Sequence, residues 1–213
     1  MYRTDKLLDE LIERYPILEP CKTDINKAYQ KIAHVYENKG KLLLAGNGGS
    51  AADAEHIVGE LMKGFLKPRQ IDDSFKTIIM DIYPENGKSL CDRLQKALPA
   101  IALTGHAALS TAYLNDVDGK FGFGQQVFGY GRKEDAFLGL TTSGNAENVI
   151  WAAVVAKALG MKIIALTGQD GGKIKNLADV AIMVPETETY KIQELHLPVY
   201  HTLCLMLEEH FFG

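Results

Sequence analysis

Lys41-Leu42-Leu43-Leu44-Ala45-Gly46-Asn47-Gly48-Gly49-Ser50 is the stretch that decides the fold. Leu42 to Ala45 is a short apolar run and reads as a buried strand. The polar turn Gly46 to Ser50 then opens a helical pattern, with Ala51, Ala54, Ile57, Val58 and Leu61 in one stripe. A strand that turns directly into a helix presents free backbone N–H groups and the positive end of a helix dipole at one point. The unit recurs. Phe137 to Leu140 leads into the turn Thr141-Thr142-Ser143-Gly144-Asn145, and a helix is expected from Ala146 to Leu159. Ser50 and Thr142 or Ser143 suit helix caps, but the two turns carry more hydroxyls than caps require. Together they predict an anion-binding crevice.

Neither turn has the Gly-Lys-Ser/Thr ending of a nucleoside-triphosphate loop, and Gly46-Asn47-Gly48 lacks the full dinucleotide pattern. A small phosphorylated metabolite therefore fits better than ATP or NAD. The 213 residues are enough for one sizeable core, and a formal charge of -4 with interspersed signs argues against nucleic acid as an obligatory partner. No apolar run approaches the roughly 18 residues of a membrane span, and the N-terminus lacks the apolar core of a signal peptide. Cys21, Cys91 and Cys204 are scattered, without disulfide or metal-pair spacing, which fits a cytoplasmic protein.

Outward from the first strand, helices are expected at 4–15 and at 22–37, the latter with Ile25, Ala28, Tyr29, Ile32 and Tyr36 inward. Further strands are expected at 100–104, 163–167 and 180–184, with a short helix at 172–178 and a last helix over 189–210. Residues 65–99 are punctuated by Pro68, Pro84 and Pro99. There 75–82 suits strand or helix, and 88–98 reads as helical. Strands alternating with helices imply a parallel sheet covered on both faces, with the polar turns at its carboxyl edge. The glycine-rich loop Gly168 to Lys173 lies on the same rim, either as a tight turn or as a ligand contact.

His56 and Glu60 are four residues apart on the helix that Ser50 opens, so they share a face, either as a site for metal or substrate or as surface electrostatics. Asp53 and Glu55 are expected to face solvent. Glu60 lies about 15 Å along the axis from Ser50, so it cannot touch an anion held at the turn. The last helix brings Gln193 and His201, about 12 Å and about 80° apart on a straight helix. Pro198 between them gives a reason for a bend. His196 and His210 read as structural or surface residues.

The run Leu44 to His56, continuing to Gly59-Glu60-Leu61, resembles the sugar isomerase (SIS) domain of bacterial phosphoheptose isomerases. So do Thr142-Ser143-Gly144-Asn145, Leu166 to Lys173, and Ile192-Gln193-Glu194-Leu195-His196 with His201 beyond. The resemblance implies a single SIS domain over 1–213, a three-layer αβα sandwich with a five-stranded parallel sheet and an N-terminal helical segment. It also implies a homotetramer with intersubunit sites. The implied reaction interconverts sedoheptulose 7-phosphate and D-glycero-D-manno-heptose 7-phosphate through an enediol. Glu60 matches the catalytic base and His201 the catalytic acid, while His56, Glu60, Gln193 and His201 match zinc ligands of some members. Ser50, Thr142 and Ser143 match phosphate contacts, and Asn47 and Asp116 match residues near the sugar. Gly48, Gly49, Asn145 and Gln193 complete the expected substrate contacts. Two departures stand out: residues 65–99 are longer than the family usually carries, and Ala146 replaces a phosphate-contacting serine. They leave room for a different sugar phosphate, or for a non-catalytic phosphosugar-binding protein, since one related member binds the replication initiator protein.

Overall fold

The computed structural model describes residues 3–213. Strands β1 (Leu42–Ala45), β2 (Ala100–Ala102), β3 (Ala136–Leu140), β4 (Lys162–Thr167) and β5 (Val180–Met183) form one parallel sheet in the order β2-β1-β3-β4-β5. Helices α1 (Arg3–Arg14), α2 (Lys22–Glu37), α3 (Gly49–Met62) and α9 (Thr189–Phe212) cover one face. On the other face lie α7 (Gly122–Tyr130) and α8 (Glu147–Ala158). Side chains alternate across β1: Leu42 and Leu44 join the first core, Leu43 and Ala45 the second. Burial on both faces is why these strands read as unbroken apolar runs. The expected αβα sandwich with five parallel strands is what forms.

α2 has the bounds expected from its pattern, and its five inward residues are all buried. Residues 65–99 depart from expectation. Residues 73–82 settle as a helix, α4 (Asp73–Ile82), but only Gly87–Cys91 forms α5, and 92–98 runs on irregularly. α6 (Ala107–Asp116), like α4, buries no side chain fully. The short helix expected at 172–178 shrinks to a 3-10 turn, Ile174–Asn176. α9 runs through Pro198 as one 24-residue helix. No described helix is long and apolar enough to cross a membrane.

One buried ion pair fastens the segment that follows α3. Glu208 of α9 accepts backbone hydrogen bonds from Phe65, Leu66 and Lys67 (2.7, 2.8 and 3.2 Å) and pairs with the fully buried Arg69 at 2.8 Å. Arg69 in turn donates to the carbonyls of Leu61 and Glu60 at 2.7 and 3.1 Å, which closes the free C-terminal end of α3. Burial pushes the Glu208 carboxyl up, but the N–H donors and the guanidinium outweigh it and the net shift is downward.

His196, on the inner face of α9, is fully buried, and neither ring nitrogen has a hydrogen-bond partner at good geometry. Burial lowers its pKa to about 4, against a small opposing influence from the Thr167 backbone. The unfolded chain therefore binds this proton more readily than the folded one between about pH 6.5 and pH 4. Its stabilising contribution is complete above pH 6.5 and is lost as pH falls to about 4. One such shift is worth about 3 kcal/mol. Urea unfolding at stepped pH should show this acid-side loss, and His196→Leu should remove about that much of the slope; an unchanged slope would place the titration elsewhere.

Candidate active site

β1 and β3 are neighbours, with Ala45 in register with Gly139, so the turns that follow them emerge side by side. They line one cleft of about 390 Å³, formed by Asn47, Gly48, Gly49, Ser50, Thr142, Ser143 and Ala146, with Thr189 and Gln193 from the start of α9. Gly48 has φ +55°, a conformation that favours glycine, and it sits where the chain reverses into α3. The Gln193 amide lies against Gly49, where a Cβ would stand 2.7 Å from Nε2. The cleft thus joins the hydroxyls of Ser50, Thr142, Ser143 and Thr189 to the start of α3, the chemistry of a phosphate cradle.

The expected contacts divide. Asn47, Gly48, Gly49, Ser50, Thr142, Ser143 and Gln193 line the cleft, whereas Asn145 and Asp116 do not. Asn145 donates to the Ser143 carbonyl (2.9 Å) and accepts from the Lys173 N–H (3.1 Å), so it ties two loops together. Asp116 ends α6, exposed, and accepts from Asn115 at 2.8 Å. The Asn47 amide is engaged in a reciprocal pair with Asn148 of α8 (2.9 and 2.8 Å), which couples the two turns directly. Asn148 and Thr189 were not foreseen; both occupy the first turn of a helix whose start faces the cleft.

The Gly168–Lys173 loop lines no part of the cleft but supports it. Gly144 (φ +67°) and Gly172 (φ +51°) meet backbone to backbone. A Cβ on Gly144 would fall 2.2 Å from the Gly171 carbonyl oxygen, and Ile174 N–H donates to the Gly144 carbonyl at 3.1 Å.

At the far end of α3 stands a second cluster. His56 Nε2 is 3.2 Å from Glu60 Oε1 and 3.4 Å from His201 Nε2, and Lys63 binds the other Glu60 oxygen at 2.8 Å. His201 also packs against the Phe65 ring and lines a groove of about 350 Å³ between α1 and α9. Burial, then His56, lowers the His201 pKa, with Glu60 opposing. Asp53 corrects the expectation of a solvent-facing side chain. It lies three residues before His56, on the same face, and accepts from the Tyr200 hydroxyl at 3.2 Å. Burial raises the Asp53 carboxyl, opposed by Tyr200 and His56. Burial, then the Asp53 charge, pushes Tyr200 far up, so it stays a phenol.

The cluster bears on metal binding. Donors 2.0–2.2 Å from a tetrahedral zinc ion lie about 3.3 Å from one another. The two contacts centred on His56 match two such edges, and two histidines with one glutamate suit a catalytic zinc with an open position. Glu60 and His201 make no direct contact, so the donors form an open chain, and the described residues contain no ready metal cluster of His, Cys, Asp and Glu. The three donors fit a zinc ion in chemistry; Gln193, held at Gly49, does not stand with them.

Comparisons with known proteins agree with this geometry. The SIS domain family matches residues 10–75 and 76–168. The phosphoheptose isomerase of Leptospira biflexa is 37% identical over 205 residues, covering 96% of this chain and 93% of that protein. That of Nitratiruptor sp. is 41% identical over 206 residues, with 92% and 96% covered. The solved phosphoheptose isomerase of Neisseria gonorrhoeae superposes with a TM-score of 0.70 at 31% identity, over 97% of this chain and 91% of that one.

Gly144→Ala tests the cradle. A left-handed backbone and a blocked Cβ should together cost about 2–4 kcal/mol in unfolding free energy. Inorganic phosphate should then no longer raise the melting temperature of the variant; retained stabilisation by phosphate would detach this loop from anion binding.

Proposed function

Because this chain belongs to the SIS-domain phosphosugar isomerases, close to the bacterial phosphoheptose isomerases, we propose that it converts sedoheptulose 7-phosphate to D-glycero-D-manno-heptose 7-phosphate. Sugar-phosphate isomerisation of the phosphoheptose type is the activity its relatives give it. The observation that carries the specific assignment is the pairing of a hydroxyl-lined anion cleft with the Glu60–His56–His201 cluster on the same two helices, α3 and α9.

The phosphate occupies the cleft between the two turns. Glu60 removes a proton from C1 of the open-chain ketose while His201 donates to the carbonyl oxygen at C2. The resulting enediol then loses its C1 hydroxyl proton to His201 and receives a proton from Glu60 at C2, which yields the aldose. A His201 with lowered pKa is neutral at pH 7 and acts as a hydrogen-bonding electrophile and proton shuttle. A zinc ion would be held by His56, Glu60 and His201, and would polarise the sugar carbonyl as a Lewis acid.

Cleft and cluster are separated by about 15 Å along α3, so the working site combines the cleft of one copy with the cluster of another. Exposed apolar side chains favour such assembly. Phe75, Ile78 and Ile82 line up on α4, while Leu114, Phe128 and Trp151 stand out from α6, α7 and α8. We assign a cytoplasmic homotetramer. Ala146 favours a second reading, because its position in the cleft supplies no hydroxyl: a protein that binds a phosphosugar without turning it over.

Incubation with sedoheptulose 7-phosphate in deuterated water, followed by NMR, should show aldose formation and deuterium at C2, with and without zinc. Binding without exchange would replace the isomerase reading by the binding one. Glu60→Gln should reduce turnover at least about 100-fold while phosphate binding persists. In the zinc-free enzyme, kcat/KM should hold steady above about pH 6.5 and fall below it as His201 becomes protonated; a decline on the alkaline side of pH 6.5 would require the imidazolium instead.

A further inference from the structure

The reciprocal amide pair beside the cleft has a single orientation. Val149 N–H, in the first turn of α8, lies 3.0 Å from one terminal atom of the Asn148 side chain. A backbone N–H can only donate, so that atom is the oxygen, Oδ1, and the Asn148 amide cannot be turned over. Its nitrogen then donates to Asn47 Oδ1 at 2.8 Å, and Asn47 Nδ2 donates back to Asn148 Oδ1 at 2.9 Å. Both lone pairs of Asn148 Oδ1 are thereby used. Asn47 keeps one N–H and one lone pair without a partner among the described residues. The two residues also face different spaces. Asn47 lines the cleft of about 390 Å³, whereas Asn148 lines a separate groove of about 270 Å³ with Ser110, Leu114 and Phe123.

We infer that Asn148 is a positioning residue for ligand binding: it locks the Asn47 amide so that the remaining N–H, and not the carbonyl, meets the anion in the cleft. An unrestrained amide exchanges its two ends by a half-turn about one bond, and an ionised phosphate gains only from the N–H. A locked amide offers that donor without being ordered afresh at each binding event. Asn148 lies outside the cleft and acts through Asn47. The inference rests on the reading of the cleft as the phosphate site of an isomerase and adds one residue to it. It also gives α8 a part in ligand binding, although Ala146, at the start of that helix, brings no polar side chain to the cleft.

Calorimetric titrations with inorganic phosphate and with sedoheptulose 7-phosphate test it. Asn148→Ala should weaken each about 3- to 10-fold, the worth of one hydrogen bond. Asn47→Ala should lose as much, and the double variant no more than either, because Asn148 acts only through Asn47. In turnover the loss should fall on KM with kcat nearly constant, since the phosphate end is remote from the carbons that react. In the nitrogen-15 spectrum of the unmodified protein, one Asn47 side-chain hydrogen should exchange with water more slowly than the other. Asn148→Ala should bring the two rates together, with its melting temperature reporting that it is folded. Additive losses in the double variant overturn the proposal, as do equal exchange rates for the two hydrogens in the unmodified protein. The phosphate titration needs neither heptose nor turnover, so a protein that shows the non-additive loss yet leaves sedoheptulose 7-phosphate unchanged would refute the isomerase reading alone.

Discussion

Everything at the cleft depends on β1 and β3 being hydrogen-bonded neighbours at the centre of a parallel sheet. The chain leaves β1 toward β2 on one side and places β3 on the other, so the order reverses between them. At such a switch point the loops at the carboxyl ends diverge and leave a crevice. Two strand-to-helix turns separated by nearly a hundred residues are thereby held a few ångströms apart, with the Asn47–Asn148 amide pair across the gap. The sheet positions the turns, and the glycine contact between Gly144 and Gly172 keeps the second turn from relaxing.

α9 is the second organiser. Its first turns bring Thr189 and Gln193 to the cleft, its middle buries His196 and Tyr200, and His201 stands at the reactive cluster. Toward its end Glu208 binds the segment after α3. Because α3 and α9 each span both regions, small changes in their mutual packing would move cleft and cluster together. The one buried ion pair along this contact is also fully hydrogen-bonded, the condition under which a buried charge is tolerated.

Much of this was legible from residue pattern. Apolar runs fully buried on both faces, and the 3.6-residue stripe of α2, gave strands and helix with little ambiguity. Where burial is partial the signal faded. α4 and α6 bury no side chain fully, the apolar stripe Phe75, Ile78 and Ile82 of α4 faces outward, and α5 stopped seven residues short of the helical reading of 88–98. Within the site, glycines and hydroxyls announced the cleft, but the partners of Asn47 and Asn145 did not show, because loop-to-loop hydrogen bonds have no period. Asp53 was misread for a related reason. Its place on the His56 face was available from spacing alone, yet only the tertiary contact with Tyr200 explains why a carboxylate points inward.

The Arg69–Glu208 latch has a consequence for how such a chain can change over time. It closes the end of α3 and meets α9 before α4 begins, so the segment from α4 onward hangs from a fastened root. Residues beyond that point can lengthen, shorten or be exchanged while the carbonyl end of the helix that carries Glu60 stays anchored. The segment between α4 and β2 can thus vary in length without loosening the end of α3, and a change there is felt at Glu60 only if it reaches Arg69.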